Sequence, residues 1–150
     1  MKVQVLTLGC SKNRVDSEHI LSQLEGRYEI VPEGADEPVD VLLINTCGFI
    51  GDAKEESVNA ILEAVERKKD GLVGRLLVFG CLSQRYMDQM PGLIPEVDGW
   101  FGARGSDEIL ELLGVVPDES KVSERHLTTP RHYAYLKISE GCDRRCSYCA

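Results

Sequence analysis

Residues 39–45 read VDVLLIN and run into Thr46-Cys47-Gly48. Apart from Asp40 and Asn45 the stretch is apolar throughout. Continuous apolar character, rather than alternation, marks a strand buried on both faces, as in a parallel sheet covered by helices on each side. The flanking sequence supports this. Upstream, residues 2–8 (KVQVLTL) are rich in strand formers and stop at Gly9-Cys10. A helix-compatible stretch carrying Val15, Ile20, Leu21 and Leu24 follows, ending near Gly26. Residues 28–31 can form a short strand before Pro32, and 32–38, with Pro, Gly and acids, read as a loop.

Downstream, Asp52 and Glu55 have the spacing of a helix-capping box. Val58, Ile61, Leu62 and Val65 then recur at helical spacing as one apolar face. Arg67, Lys68 and Lys69 suit the negative end of that helix, and Gly71 can stop it. Residues 75–79 (RLLVF) form the next predicted strand, ending at Gly80-Cys81. Residues 84–90 are expected as a short helix halted by Pro91, and 99–101 as a short strand. Ser106 is expected to cap a helix running to Leu113 and closed by Gly114. This alternation predicts an α/β fold over residues 1–114, a three-layer open and mainly parallel sheet. Residues 115–132 lack apolar periodicity and are expected as a linker. Residues 133–138 (YAYLKI) read as the first strand of a second unit spanning 133–150.

The 150 residues carry 25 acids and 17 bases, a net charge of −8. Residues 1–114 hold 20 acids and 11 bases, and residues 115–150 hold 5 and 6. An acidic first unit is a poor platform for nucleic-acid phosphates, which need clustered Lys and Arg. No apolar run approaches the ~18 residues of a membrane span, and the first ten residues lack a secretory h-region. The expectation is therefore a cytoplasmic protein with no membrane partner, whose cysteines are free for catalysis or metal binding.

The six cysteines divide into two sets. Cys142, Cys146 and Cys149 follow a C-x3-C-x2-C pattern, which lets three thiolates converge from one loop. A structural zinc site wants four ligands. Three thiolates fit a four-iron cluster with one iron open to a small molecule, and zinc is the lesser alternative. Cys10, Cys47 and Cys81 are far apart in sequence, yet each follows the C-terminal end of a predicted strand, where open parallel sheets bind ligands. Position alone leaves two readings open, a second metal site and unrelated buried thiols. A third treats Cys10 as a lone nucleophile in Cys10-Ser-Lys-Asn-Arg14, and leaves Cys47 and Cys81 unexplained. Asn13, Asn45 and Gln84 are expected as turn and cap residues, the sharper alternative being a hydrogen bond to cluster sulfur.

Four stretches together resemble the methylthiotransferases, radical S-adenosylmethionine enzymes that insert a methylthio group into an unactivated C–H bond. They are Leu8-Gly9-Cys10-Ser11-Lys12-Asn13 with Val15-Asp16-Ser17-Glu18, and Ile44-Asn45-Thr46-Cys47-Gly48-Phe49-Ile50 with Ala53-Lys54-Glu55-Glu56-Ser57. The third is Gly80-Cys81-Leu82-Ser83-Gln84-Arg85-Tyr86, and the fourth runs from His132 to Asp143. Ser11-Lys12-Asn13 and Cys142-Asp143-Arg144-Arg145 look like the ribosomal-protein branch rather than the tRNA-adenosine branch.

The resemblance implies an aspartate β-carbon of the twelfth small-subunit ribosomal protein as target. It implies two 4Fe-4S clusters and S-adenosylmethionine as cofactors. Cys142, Cys146 and Cys149 would hold one cluster, with Tyr148 against S-adenosylmethionine. Cys10, Cys47 and Cys81 would hold an auxiliary cluster that delivers sulfur. It also implies an electron donor such as a flavodoxin or ferredoxin, and tRNA as partner only if the branch is the other one. The alternative of another class is a non-catalytic iron–sulfur or zinc module. Because a radical barrel needs far more chain, these residues are expected to be an N-terminal fragment that does not turn over alone, folded through 1–114 and loosely ordered beyond.

Overall fold

A computed structural model of the chain describes residues 1–121, 123–139, 141–144 and 146–147. Five strands are all parallel: β1 (Lys2–Thr7), β2 (Glu29–Val31), β3 (Val39–Thr46), β4 (Val73–Gly80) and β5 (Gly99–Trp100). They lie in the order β2-β1-β3-β4-β5. Between them run α1 (Ser11–Leu24), α2 (Gly51–Lys69), α3 (Cys81–Arg85), α4 (Met90–Leu93) and, after β5, α5 (Ser106–Leu112).

The strand period of two sorts the apolar side chains onto two faces. Val41, Leu43, Leu77 and Phe79 point to one face and pack with Ile20, Leu21 and Leu24 of α1 and Ile109 and Leu110 of α5. Leu42, Ile44, Leu76 and Val78 point to the other and pack with Ile61, Ala64 and Val65 of α2 and with Met90. From Val41 to Thr46 and from Leu76 to Gly80, β3 and β4 are thus buried on both faces, which is why residues 41–44 show no polar alternation. The three-layer reading stands, and the sheet is wholly rather than mainly parallel.

Local signals were less faithful. α2 begins one residue before Asp52, with Ile50 at the N-cap and no side-chain cap bond. Asp52 lies within the first turn, where its charge suits the dipole without capping. Leu62 is 47% exposed, because it sits about 100° round the helix from Ile61; the buried stripe is Ser57, Ile61, Ala64 and Val65. The single helix expected over 84–90 is two short ones, and Pro91 stands in the first turn of α4 rather than ending a helix. Its missing N–H costs nothing there. Gly105, not Ser106, is the N-cap of α5.

The segment expected as a linker is docked. Val115 joins the core, and Asp118, Glu124, His126 and Thr128 bond to α1. The carboxylate of Glu18, with no exposed surface, accepts hydrogen bonds from Thr128 N (2.9 Å) and Oγ1 (3.0 Å). Arg125 Nη1 stands 3.5 Å from the same carboxylate. Gln23 exchanges bonds with Asp118 at both its oxygen and its nitrogen. This second cover explains why α1 buries Glu18 and Ser22 as well as its apolar stripe. Residues 133–138 form no strand: they add to neither sheet edge, and Leu136 and Ile138 are exposed. The chain there is tethered instead by Lys137 Nζ to Asp16 (2.6 Å).

Candidate metal centre

Each of the first three cysteines stands where a strand hands over to a helix. Cys10 is the N-cap of α1, directly after the β1 turn. Cys47 follows the last residue of β3, and Cys81 opens α3 immediately after β4. Register brings them together: Thr7 pairs with Asn45 and Thr46 with Gly80, so all three loops leave the same edge of the sheet. The strand order reverses between β1 and β3, and in open parallel sheets ligands bind at that switch point. Cys10 and Cys47 flank it, with Cys81 one strand further.

The convergence is visible at Asn13. Its Oδ1 lies 3.9 Å from the Cys10 sulfur and 3.9 Å from the Cys81 sulfur. The two thiols are therefore no further apart than twice that distance. Cys47 reaches the same spot from beneath: a Cβ placed on Gly9 would sit 2.7 Å from the Cys47 sulfur and 3.6 Å from Asn13 Nδ2. Gly9 has φ +88°, so the turn after β1 needs glycine for its backbone and for the space. Cys47 is buried, whereas Cys10 and Cys81 are exposed. The Cys81 thiol is pushed above its ordinary value by burial first, then by the neighbouring Cys47 and Cys10 thiols and Asp16, while Lys137 acts in the opposite sense.

Among the described residues, no three His, Cys, Asp or Glu side chains close tightly enough to hold one metal ion. Ligation of a single zinc at about 2.3 Å needs sulfurs within about 4 Å of one another. A polynuclear iron–sulfur group spans more and takes thiolates as its ligands. The donor set, three thiols brought together at adjacent strand ends, fits that larger group. A cavity of about 560 Å³ between α1 and α5 is lined by Asp16, His19, Phe79 and Arg104 among others, and no cysteine lines it. Cys10 and Cys81 open directly to solvent, with Cys47 buried behind them.

Of the second set, Cys142 and Cys146 are exposed. Cys149 and Tyr148 lie outside the described residues. Two expectations about polar residues change. Asn13 and Asn45 are neither turn nor cap residues: both are nearly wholly buried, one inside α1 and one in β3. Gln84 does bind a loop, accepting from Ala103 N at 3.2 Å.

Sequence reasoning missed Ser57. Its buried hydroxyl accepts from Cys47 N and donates to Cys47 O, both at 3.0 Å, so α2 holds the Cys47 backbone directly. The available signal was a serine on the apolar stripe of α2, four residues before Ile61.

The model of the family described as Uncharacterized protein family UPF0004 matches residues 2–102, which spans all three cysteines and all five strands. The chain belongs to the UPF0004 family. Its curated relatives include proteins named Ribosomal protein uS12 methylthiotransferase RimO. That of Bacteroides thetaiotaomicron is 53% identical over 99% of the chain and 34% of the relative's length. That of Porphyromonas gingivalis is 53% identical over 99% and 35%, and that of Cytophaga hutchinsonii 50% over 99% and 34%. The chain thus spans about a third of the length of these relatives. The UPF0004 match ends before the 115–150 segment, whereas the identity to the relatives continues through it. Among the described residues, no helix is long and apolar enough to cross a membrane.

Proposed function

We propose that this UPF0004 chain is the sulfur-handling part of a methylthiotransferase acting on an aspartate of ribosomal protein uS12, and that it resides in the cytoplasm. The observation that carries the reading is the meeting of three thiols, from the ends of three adjacent parallel strands, around Asn13. The relatives' printed name supplies the reaction class.

On this reading Cys10, Cys47 and Cys81 hold one 4Fe-4S cluster. Cys142, Cys146 and Cys149 hold another, together with S-adenosylmethionine beside Tyr148. When bound, these groups supply one-electron reduction and a place for sulfur, which the replacement of an unactivated C–H bond by a methylthio group requires. The chain's own residues bind and orient. Ser57 fixes the buried Cys47 from below, and Gly9 lets the β1 turn close over it. Cys10 and Cys81 face outward, so sulfur can leave toward a substrate without crossing the domain. Phe49 and Ile50, 65% and 54% exposed beside Cys47, give that open face an apolar margin that would exclude water once covered. The chain alone is expected not to turn over; an electron donor of the flavodoxin or ferredoxin kind completes the system.

Anaerobic reconstitution with iron and sulfide tests the site. The Cys10, Cys47 and Cys81 triple Ala variant should lose about four irons per chain relative to the parent. One zinc per chain with no visible charge-transfer absorbance would refute the cluster. For the substrate, full-length enzyme is offered uS12 and tRNA, and a mass gain confined to tRNA refutes the protein target.

A further inference from the structure

Asn13 is an uncharged side chain, 3% exposed, at the middle of the three-thiol site. An amide offers two N–H donors and one carbonyl oxygen. Here both donors are committed. Nδ2 donates to Leu8 O at 2.9 Å and to Thr46 O at 3.1 Å. Leu8 begins the turn that leads to Cys10, and Thr46 is the residue before Cys47. The remaining group, Oδ1, faces the Cys10 and Cys81 sulfurs, each at 3.9 Å. One side chain therefore touches the cysteine-bearing ends of β1, β3 and β4.

The orientation of the amide is fixed by its surroundings. Turned over, it would set its oxygen against two carbonyl oxygens. Its backbone is held as well: Asn13 O accepts from Asn45 Nδ2 at 2.8 Å. Asn45 Nδ2 also donates to Ser17 Oγ (3.1 Å), which accepts from Thr7 Oγ1 (2.8 Å). This buried chain of polar groups runs from β1 through α1 and β3 to the thiols.

We propose that Asn13 is the positioning residue of the three-thiol site, clamping the Cys10 and Cys47 loops through its N–H groups while presenting only oxygen to the outer sulfurs. The inference rests on the cluster reading above but makes separate statements. The clamp sets the thiol separation before any metal arrives. The oxygen withholds N–H donation from the sulfurs on that side, so an electron added to the site is disfavoured there and the reduction potential is held down.

The test compares Asn13→Ala with Gln4→Ala, a buried amide that likewise donates to two carbonyl oxygens, those of Pro32 and Ala35, outside the three-thiol site. Cys142, Cys146 and Cys149 are replaced by Ser throughout, in the full chain. In reduced, metal-free protein, a bifunctional bimane that fluoresces on joining neighbouring thiols should bridge Cys10 and Cys81 in the parent and in Gln4→Ala. It should largely fail in Asn13→Ala. After reconstitution, iron retention against a chelator should fall about ten- to hundredfold in Asn13→Ala, and its midpoint potential should rise while that of Gln4→Ala matches the parent. Parent-like bridging or a parent-like potential in Asn13→Ala overturns the proposal. Bridging that depends on Asn13 in a protein that retains no iron overturns the cluster reading and leaves the positioning role standing. If Asn13→Ala does not fold, the near-isosteric Asn13→Asp carries the same bridging test, since its second oxygen cannot donate to Leu8 and Thr46.

Discussion

Replacement of Gly9 by Ala tests whether Cys47 is seated under the β1 turn. Two costs add. The backbone at Gly9 has φ +88°, and a side chain in the left-handed region costs about 1–2 kcal/mol. The new methyl would also lie 2.7 Å from the Cys47 sulfur and closer still to its Cβ. Cys47 is held by Ser57 on its far side, so it cannot simply withdraw, and forced overpacking costs about 1–3 kcal/mol. The sum is roughly 2–5 kcal/mol against a domain stability of about 5–15 kcal/mol, so the protein folds but is measurably weakened. Gly26 isolates the steric part, because it has the same φ of +88° and nothing within 4 Å of an added Cβ. Urea unfolding of reduced, metal-free protein gives both values by linear extrapolation. The difference between Gly9→Ala and Gly26→Ala should be about 1–3 kcal/mol, and reconstituted iron should fall only in Gly9→Ala. Equal losses in the two variants would show that Cys47 does not pack against this turn, and the three-thiol geometry would fail with it.

Further outcomes follow from other contacts. Gly80→Ala should cost at least as much as Gly9→Ala, since φ is +104° and the added Cβ would lie 2.5 Å from both Asn45 Oδ1 and Thr46 O; unfolding measured beside Gly9→Ala decides the order. Glu18→Ala removes the acceptor for both Thr128 bonds and the partner of Arg125. It should cost about 1–3 kcal/mol and raise hydrogen exchange across 118–128, with unchanged exchange at Thr128 counting against a docked segment. The raised Cys81 thiol makes the folded, metal-free protein hold that proton more tightly than the unfolded chain, whose reference value is 9.0. That contribution is complete below the unfolded value and lost as pH rises through the folded one. Cys81→Ser should therefore flatten the alkaline fall in stability, and an unaltered slope would deny the shift. Ser57→Ala leaves Cys47 N and O without their buried partner, so stability should fall by about 1–3 kcal/mol and iron retention should drop with it.

The strands and the cysteine positions were legible in the sequence because each rests on a short-range rule. VDVLLIN is apolar on both sides, and a Gly next to each of Cys10, Cys47 and Cys81 marks a strand end. Helix starts were less legible. Asp52-x-x-Glu55 satisfies the capping pattern, yet the turn out of Cys47 starts α2 earlier, at an Ile50 cap. Leu62 fits a helical repeat but falls off the face that meets the sheet.

The polar interior was not legible. Asn13, Ser17, Glu18 and Asn45 look like surface or turn residues one at a time, and each is buried only because two elements far apart in sequence close over it. Residues 115–132 looked like a linker since their contacts to α1 are polar, specific and carry no period.

By itself the sequence determined the alternation of strands and helices, the two sets of three cysteines and the family resemblance, all of which depend on residue type and local spacing. Only the tertiary structure decided that the Cys10, Cys47 and Cys81 loops meet and that Asn13 turns its oxygen to the Cys10 and Cys81 sulfurs. Strand order and register set those distances, and both arise from how the whole sheet packs, which no stretch of local sequence contains.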